Sequence, residues 1–225
     1  MFSRITNDPA ARPTTLDALG MSGHSNPIVS LTEFTYKKGT EIYGEKEPAE
    51  FVYQVKVGAV RSYKLLSDGR RQIGAFHLAG DIFGLENGSD HRFTAEAIIS
   101  TTVRLIKRRS LEMVAQSDAM VFRNLLSMTT NSLQHAENHM LLLGRKTAQE
   151  KIATFLLDMA QRIPGQSGSF ELPMQRSDIA DHLGLTIETV SRTLTQFARS
   201  GLIRLLPAGR SIGLCNKMAL RSLNA

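Results

Sequence analysis

Glu188, Thr189, Ser191 and Arg192 fall within five consecutive residues. Wound into a helix, they put a carboxylate acceptor, two hydroxyls and a guanidinium fork on one polar side. The set holds no nucleophile paired with a base, no paired acids and no metal motif, so its chemistry is recognition by hydrogen bonding. A helix presenting such a side at its N-terminal half is what enters the major groove of a duplex.

To be presented, that helix must be held against a second one through a tight corner, and Arg176 to Thr195, RSDIADHLGLTIETVSRTLT, has the residues for it. Ala180 is small where the helices must approach, and Gly184 can adopt the positive φ of the corner. Ile179, Leu183 and Leu185 form the buried side up to the turn, and Val190 and Leu194 continue it at i, i+4 spacing. Thr186 is placed to cap the second helix, with Glu188 in its first turn, where the dipole favours an anion. An ordinary helical hairpin with its charges in water would share this pattern. The context points to a helix-turn-helix: Gly201 to Leu214, GLIRLLPAGRSIGL, reads as two short apolar strands about a Pro-Ala-Gly-Arg turn, with Arg204 and Arg210 placed to meet phosphates. That is a winged variant.

From Ile28 to Lys107 the texture is short apolar segments punctuated by glycine, with FVYQVKVG alternating and Ser67-Asp68-Gly69-Arg70 marking a hairpin turn. Eight or so short strands with no helical period between them predict an antiparallel barrel or jelly roll. Next, Phe122, Leu126, Thr129, Leu133, Ala136, Met140 and Leu143 recur at spacings of 4, 3, 4, 3, 4 and 3. This is an a/d seam of three heptads, about 33 Å long at 1.5 Å per residue. It serves either to pack one helix on its own barrel or to pair two subunits, and pairing sets two recognition helices about 34 Å apart, one turn of DNA.

The chain of 225 residues has 27 basic and 21 acidic side chains, a net charge of +6 and a pI near 9.7, which suits a polyanionic partner. Its single cysteine, Cys215, excludes an internal disulfide and is expected to pack as a small hydrophobe. No run approaches the roughly 18 apolar residues of a membrane span. The first 27 residues lack the apolar core of a signal peptide. A loose tail with one short helix around Thr15 to Met21 is expected there, and a cytoplasmic location for the protein. The expected organisation is α+β: tail 1–27, β-roll 28–110, dimerisation helix region 111–145 and winged helix-turn-helix 146–225.

This order of parts, with Lys64 to Ile73 (KLLSDGRRQI), Phe76 to Gly84 (FHLAGDIFG), Ala95 to Ala97 (AEA) and Glu188 to Arg192 (ETVSR), resembles the CRP/FNR superfamily of transcription regulators from about Ile28 to Leu223. The spacing E-x-x-S-R at Glu188, Ser191 and Arg192, with Ile187 before the glutamate, resembles the FNR-like and FixK-like branch. The resemblance implies a cyclic-nucleotide-binding-like jelly roll and base readout by Glu188, Ser191 and Arg192 on a TTGAT-N4-ATCAA palindrome. Arg192 would donate to guanine O6 and N7, Glu188 accept from cytosine N4 and Ser191 meet a thymine. It further implies phosphate contacts from Arg176, Thr186 and Thr189, beside Arg210 of the wing. The implied partners are double-stranded DNA, a second copy of the chain and RNA polymerase, with no membrane, and the implied targets are genes of low-oxygen respiration, denitrification or nitrogen fixation.

No cofactor or metal is expected. Phe93-Thr94 stands where cyclic-AMP-binding relatives carry the Arg-Ser pair that clamps the phosphate, with Arg92 one position early as a conceivable substitute. An iron–sulfur sensor needs four thiolates, and haem has no identifiable axial ligand. His135 and His139 are four apart on the seam helix, a spacing that can chelate, but the reading adopted is two solvent-facing polar positions. By elimination the chain resembles a FixK-like member, and that resemblance implies an activator whose DNA binding needs no small effector, with control through how much protein is made. Two alternatives stay open: a regulator gated by a small molecule, haem or metal in the roll, and a protein-association adaptor with a vestigial helix-turn-helix. Enzymatic activity is not expected.

Overall fold

A computed structural model describes residues 32–165, 168–206 and 210–223. The expected N-terminal tail with its short helix, and the Pro207 to Gly209 part of the wing turn, lie outside them.

Eight strands form the roll: β1 (Thr32–Tyr36), β2 (Glu41–Tyr43), β3 (Phe51–Val57), β4 (Ala59–Leu65), β5 (Arg71–Leu78), β6 (Ile82–Phe83), β7 (Thr94–Ala97) and β8 (Thr101–Lys107). They pair antiparallel in two four-stranded sheets, β1-β8-β3-β6 and β2-β7-β4-β5. The hairpin turn sits where the sequence places it, with the Leu66 amide and Arg70 carbonyl regions joined across Ser67 to Gly69 and Asp68 Oδ1 accepting from the Arg70 amide at 3.0 Å. Gly58 carries the chain from one sheet to the other at φ +100°, and a Cβ there would lie 2.7 Å from the Ser100 carbonyl oxygen and from Thr101 Cα. A side chain has to overcome both the left-handed backbone and that overlap. Gly58→Ala is expected to destabilise the protein by about 3 kcal/mol or more, read as a fall in the denaturant midpoint at unchanged slope. A shift under 1 kcal/mol on the same scale would show that the crossing relaxes.

The FVYQVKVG alternation does not mark a half-solvated strand. Gln54 is buried along with Val52, Tyr53 and Val55, because β3 is covered on both faces. On one side Tyr43, Tyr53, Val55, Phe83 and Val103 fill the roll. On the other, Val52 and Ile106 meet Leu111, Val114, Val121 and Met128 of the following helices. Those helices are α1 (Arg108–Ser117) and α2 (Ala119–Arg145), so the expected helix region 111–145 is broken at Asp118, whose carboxylate caps α2 by accepting from the Met120 amide at 2.8 Å.

The remainder is α3 (Ala148–Arg162), β9 (Ser169–Glu171), α4 (Arg176–Leu183), α5 (Ile187–Arg199), β10 (Ile203–Leu205), β11 (Ser211–Leu214) and α6 (Lys217–Ser222). The wing is a three-stranded sheet in the order β10-β11-β9, one strand more than the sequence suggests. One buried cluster runs from Ile73, Phe76, Leu78 and Ile98 of the roll through Leu142 and Leu156 to Ile179, Leu183 and Leu194. Roll and helix-turn-helix therefore share a core across the 145/146 boundary drawn from the sequence.

Candidate nucleic-acid interface

Gly184 ends α4 at φ +60°, and its amide bonds to the Ala180 carbonyl, which closes the corner. Ala180 is buried at the crossing. Thr186 caps α5, its hydroxyl accepting from the Thr189 amide at 3.2 Å. Val190, Thr193, Leu194 and Phe197 face the core, so Glu188, Arg192, Thr195 and Arg199 are left on the open side. Glu188 is exposed, and its own backbone N–H together with the Thr186 hydroxyl holds its carboxyl below the usual range. It is therefore an acceptor, suited to a base amino group.

Ser191 is half-buried, and its hydroxyl lies 3.2 Å from Nη1 of Arg176, the first residue of α4. One bond thus joins a residue assigned from the sequence to phosphate with one assigned to base readout. Arg192 is exposed beside them, while Thr186 is exposed and Thr189 partly covered at the head of the helix. Arg204 and Arg210 are both exposed on the wing side.

The seam helix leaves Phe122, Leu126, Leu133 and Met140 at 56, 57, 59 and 66% exposure, with Thr129 and Ala136 also exposed between them. Leu143 departs from this row: half-buried, it packs into the shared core next to Gly184.

Sequence reasoning missed the ion pairs that fasten α4 to the roll. Asp178 is 2% exposed, and its Oδ1 accepts from Arg61 Nη1 at 2.8 Å and Arg71 Nη2 at 2.7 Å. Arg71 Nε also donates to Asp181 at 2.9 Å, and Arg162 Nη2 donates to Asp81 at 2.6 Å and to the Phe76 carbonyl at 2.7 Å. A buried carboxylate between two guanidiniums needs both to offset its desolvation. The pairing therefore fixes α4 in both position and direction.

Two expectations about single residues are corrected. Cys215 is exposed rather than packed, since the chain has left β11 and not yet entered α6. His139 is not a solvent-facing neighbour of His135: its ring stacks on His182 with centroids 4.2 Å apart, at the junction of α2, α4 and β5. Among the described residues no group of three or more His, Cys, Asp or Glu could hold a metal ion. Arg92 is exposed and donates through Nε to Glu86 at 2.9 Å.

Desolvation pushes His182 down to about 3, with the adjacent His139 adding to the effect, and pushes His77 down to about 4. Above about pH 6.5 neither the folded nor the unfolded chain protonates these rings. Below it the unfolded chain takes up protons that the folded chain refuses, so stability falls as pH drops toward the folded values, by up to about 1.4 kcal/mol per pH unit for each ring. Melting temperature is expected to fall between pH 6.5 and pH 4.5, and the pair His77→Asn and His182→Gln to flatten that limb. An identical limb in the double variant would place the acid sensitivity elsewhere.

Two family models match the chain: a cyclic nucleotide-binding domain over residues 33–118 and a Crp-like helix-turn-helix domain over residues 150–223. The nitrogen fixation regulation protein FixK of Rhizobium meliloti (strain 1021) is 44% identical over 215 residues, covering 95% of this chain and 96% of that one. The transcriptional activatory protein AadR of Rhodopseudomonas palustris is 43% identical over 195 residues, 85% of this chain and 81% of that one. The solved structure of FixK2 from Bradyrhizobium japonicum is 60% identical, with a TM-score of 0.84, covering 87% of this chain and 98% of that one.

Proposed function

The chain belongs to the FixK-like branch of the CRP/FNR superfamily of transcription regulators, and from that we propose that it binds, as a homodimer and without a small effector, a palindrome of the TTGAT-N4-ATCAA type. That it regulates transcription through a DNA-binding helix-turn-helix follows from the family. The finer reading concerns which sequence it reads, in which assembly, and what gates it.

The observation that carries this reading is the open side of α5. Glu188, Ser191 and Arg192 are held on a helix whose corner, cap and buried side are all in place, with an exposed carboxylate and an exposed guanidinium at the spacing that direct readout needs. Arg176, Thr186, Thr189 and Arg210 flank them as phosphate ligands that set register. The exposed row on α2 supports pairing of two copies. Effector independence is supported by the roll's interior, where Tyr43, Tyr53 and Phe83 stack with centroids 5.1 and 5.2 Å apart and His91 lies 3.5 Å from Tyr43. These rings leave the interior packed with the roll's own side chains, which is what supports the reading. By analogy with the FixK relatives, the regulated genes serve nitrogen fixation or respiration at low oxygen, with activation through RNA polymerase. Among the described residues no helix is long and apolar enough to cross a membrane, which agrees with work in the cytoplasm.

Fluorescence-anisotropy titration of the purified chain, with nothing added, onto the palindrome and onto a scrambled duplex at about 150 mM salt tests the reading. A preference of about a thousandfold or more is expected, as for specific over non-specific binding generally. Equal, weak binding to both would favour a regulator gated by a ligand.

A further inference from the structure

We propose that Arg199, at the far end of α5, is a DNA-backbone ligand that sets affinity without reading sequence. This rests on the reading of α5 as a recognition helix and extends its footprint beyond the base-reading turn. Ser191, Arg192, Thr195, Gln196, Arg199 and Ser200 line one open concavity of about 540 Å³ along the C-terminal half of the helix. Its lining is largely the aliphatic stems of these side chains, tipped by hydroxyls, an amide and two guanidiniums that can meet the sugars and phosphates of a strand. Gln196 is fixed there by Gln149 of α3, whose Nε2 donates to its Oε1 at 3.2 Å.

The dimensions separate the roles of the two arginines. Arg199 lies eleven residues beyond Glu188, about 16 Å along the axis at 1.5 Å per residue. The major groove is about 12 Å wide. A helix with its first turn at base edges has therefore left the groove by Arg199, where it meets the phosphates of the bordering strand. Arg192, seven residues earlier, stays inside. Arg199 is exposed, and among the described residues it makes no ion pair or hydrogen bond through its side chain. A last-turn arginine also complements the helix dipole, so the test must read phosphate contact rather than helix stability.

The full chain and its Arg199→Gln and Arg199→Lys variants are titrated onto the palindrome and a scrambled duplex from 50 to 200 mM salt. Each phosphate contact contributes about 0.9 to the slope of log K on log salt, so a dimer carrying glutamine is expected to lose about 1.8 of that slope. Across this range the unaltered protein then weakens about tenfold more than the glutamine variant. Both duplexes lose affinity by the same factor, the preference between them is kept, and lysine restores the slope. An unchanged slope with glutamine overturns the inference even where affinity falls, because that is the result of a merely loosened helix. A loss confined to the palindrome overturns it as well. If the unaltered chain binds both duplexes equally, the palindrome reading fails while the slope still decides on Arg199. If it binds neither, both fall together.

Discussion

Leu133→Glu is expected to convert the protein to a monomer in sedimentation and to weaken binding to the full palindrome by about a thousandfold, toward the non-specific level. Leu133 is at the centre of the α2 row and 59% exposed in a single chain, so the monomer loses little packing, and glutamate is a good helix former. In a two-fold pair the same position meets its own copy. Two carboxylates would then be desolvated side by side, at several kcal/mol each, with no cation opposite. The helix content should stay unchanged by circular dichroism while the half-site contacts of each subunit remain. Persistence of a dimer at micromolar concentration would mean that the copies meet elsewhere than along Phe122, Leu126 and Met140.

The corner of the helix-turn-helix was legible because its causes are local. A glycine at the ninth position of the motif, an alanine at the fifth and a threonine at the cap leave the backbone few alternatives, and Gly184 at φ +60° with the Thr186 cap are what those residue types impose. The two-sheet roll was legible for a similar reason: turn signals and strand lengths leave little else for eight short apolar segments. The bonds that orient the reading head were not legible. Arg61 and Asp178 are 117 residues apart, and Arg71 and Asp181 are 110 apart. Asp178 in RSDIA looks like any first-turn acid, and nothing nearby says that it will be enclosed by two guanidiniums of the roll. His139 and His182 escaped notice likewise, since a four-residue spacing on one helix draws attention to His135 while the true neighbour arrives from another element. Strand β9 was hidden by its three residues.

Those long-range bonds bear on the proposal that the protein needs no ligand. In a gated regulator the orientation of the reading helix must differ between two states, and an effector can shift that balance only through its differential affinity for them. Here α4 is fastened by Asp178 and Asp181 to the roll and shares its core, and the roll's interior is filled with its own rings. These contacts tie the helix-turn-helix to the roll, which favours one orientation of the reading helix. A fixed orientation suits control through the amount of protein rather than through occupancy of a pocket.

Arg192→Ala is expected to remove discrimination at the guanine of each half-site while leaving the rest of the readout intact. A bidentate arginine–guanine contact is worth about 1–3 kcal/mol. In a symmetric dimer the contact occurs twice, so preference for the intact palindrome over one with both guanines replaced should fall by about 2–6 kcal/mol, roughly thirtyfold to twenty-thousandfold. Among the described residues the exposed guanidinium makes no ion pair or hydrogen bond, so stability should be unaltered within about 0.5 kcal/mol. The pattern across duplexes identifies the role: the alanine variant should bind the original and guanine-substituted palindromes alike, and both still better than a scrambled duplex, because Glu188 and Ser191 remain. Lysine at 192 keeps the charge but loses the planar fork, so it should restore affinity on every duplex more than it restores the preference. If the alanine variant instead weakened all duplexes by one factor and kept its preference for guanine, Arg192 would be a backbone contact and guanine would be read by another side chain on α5.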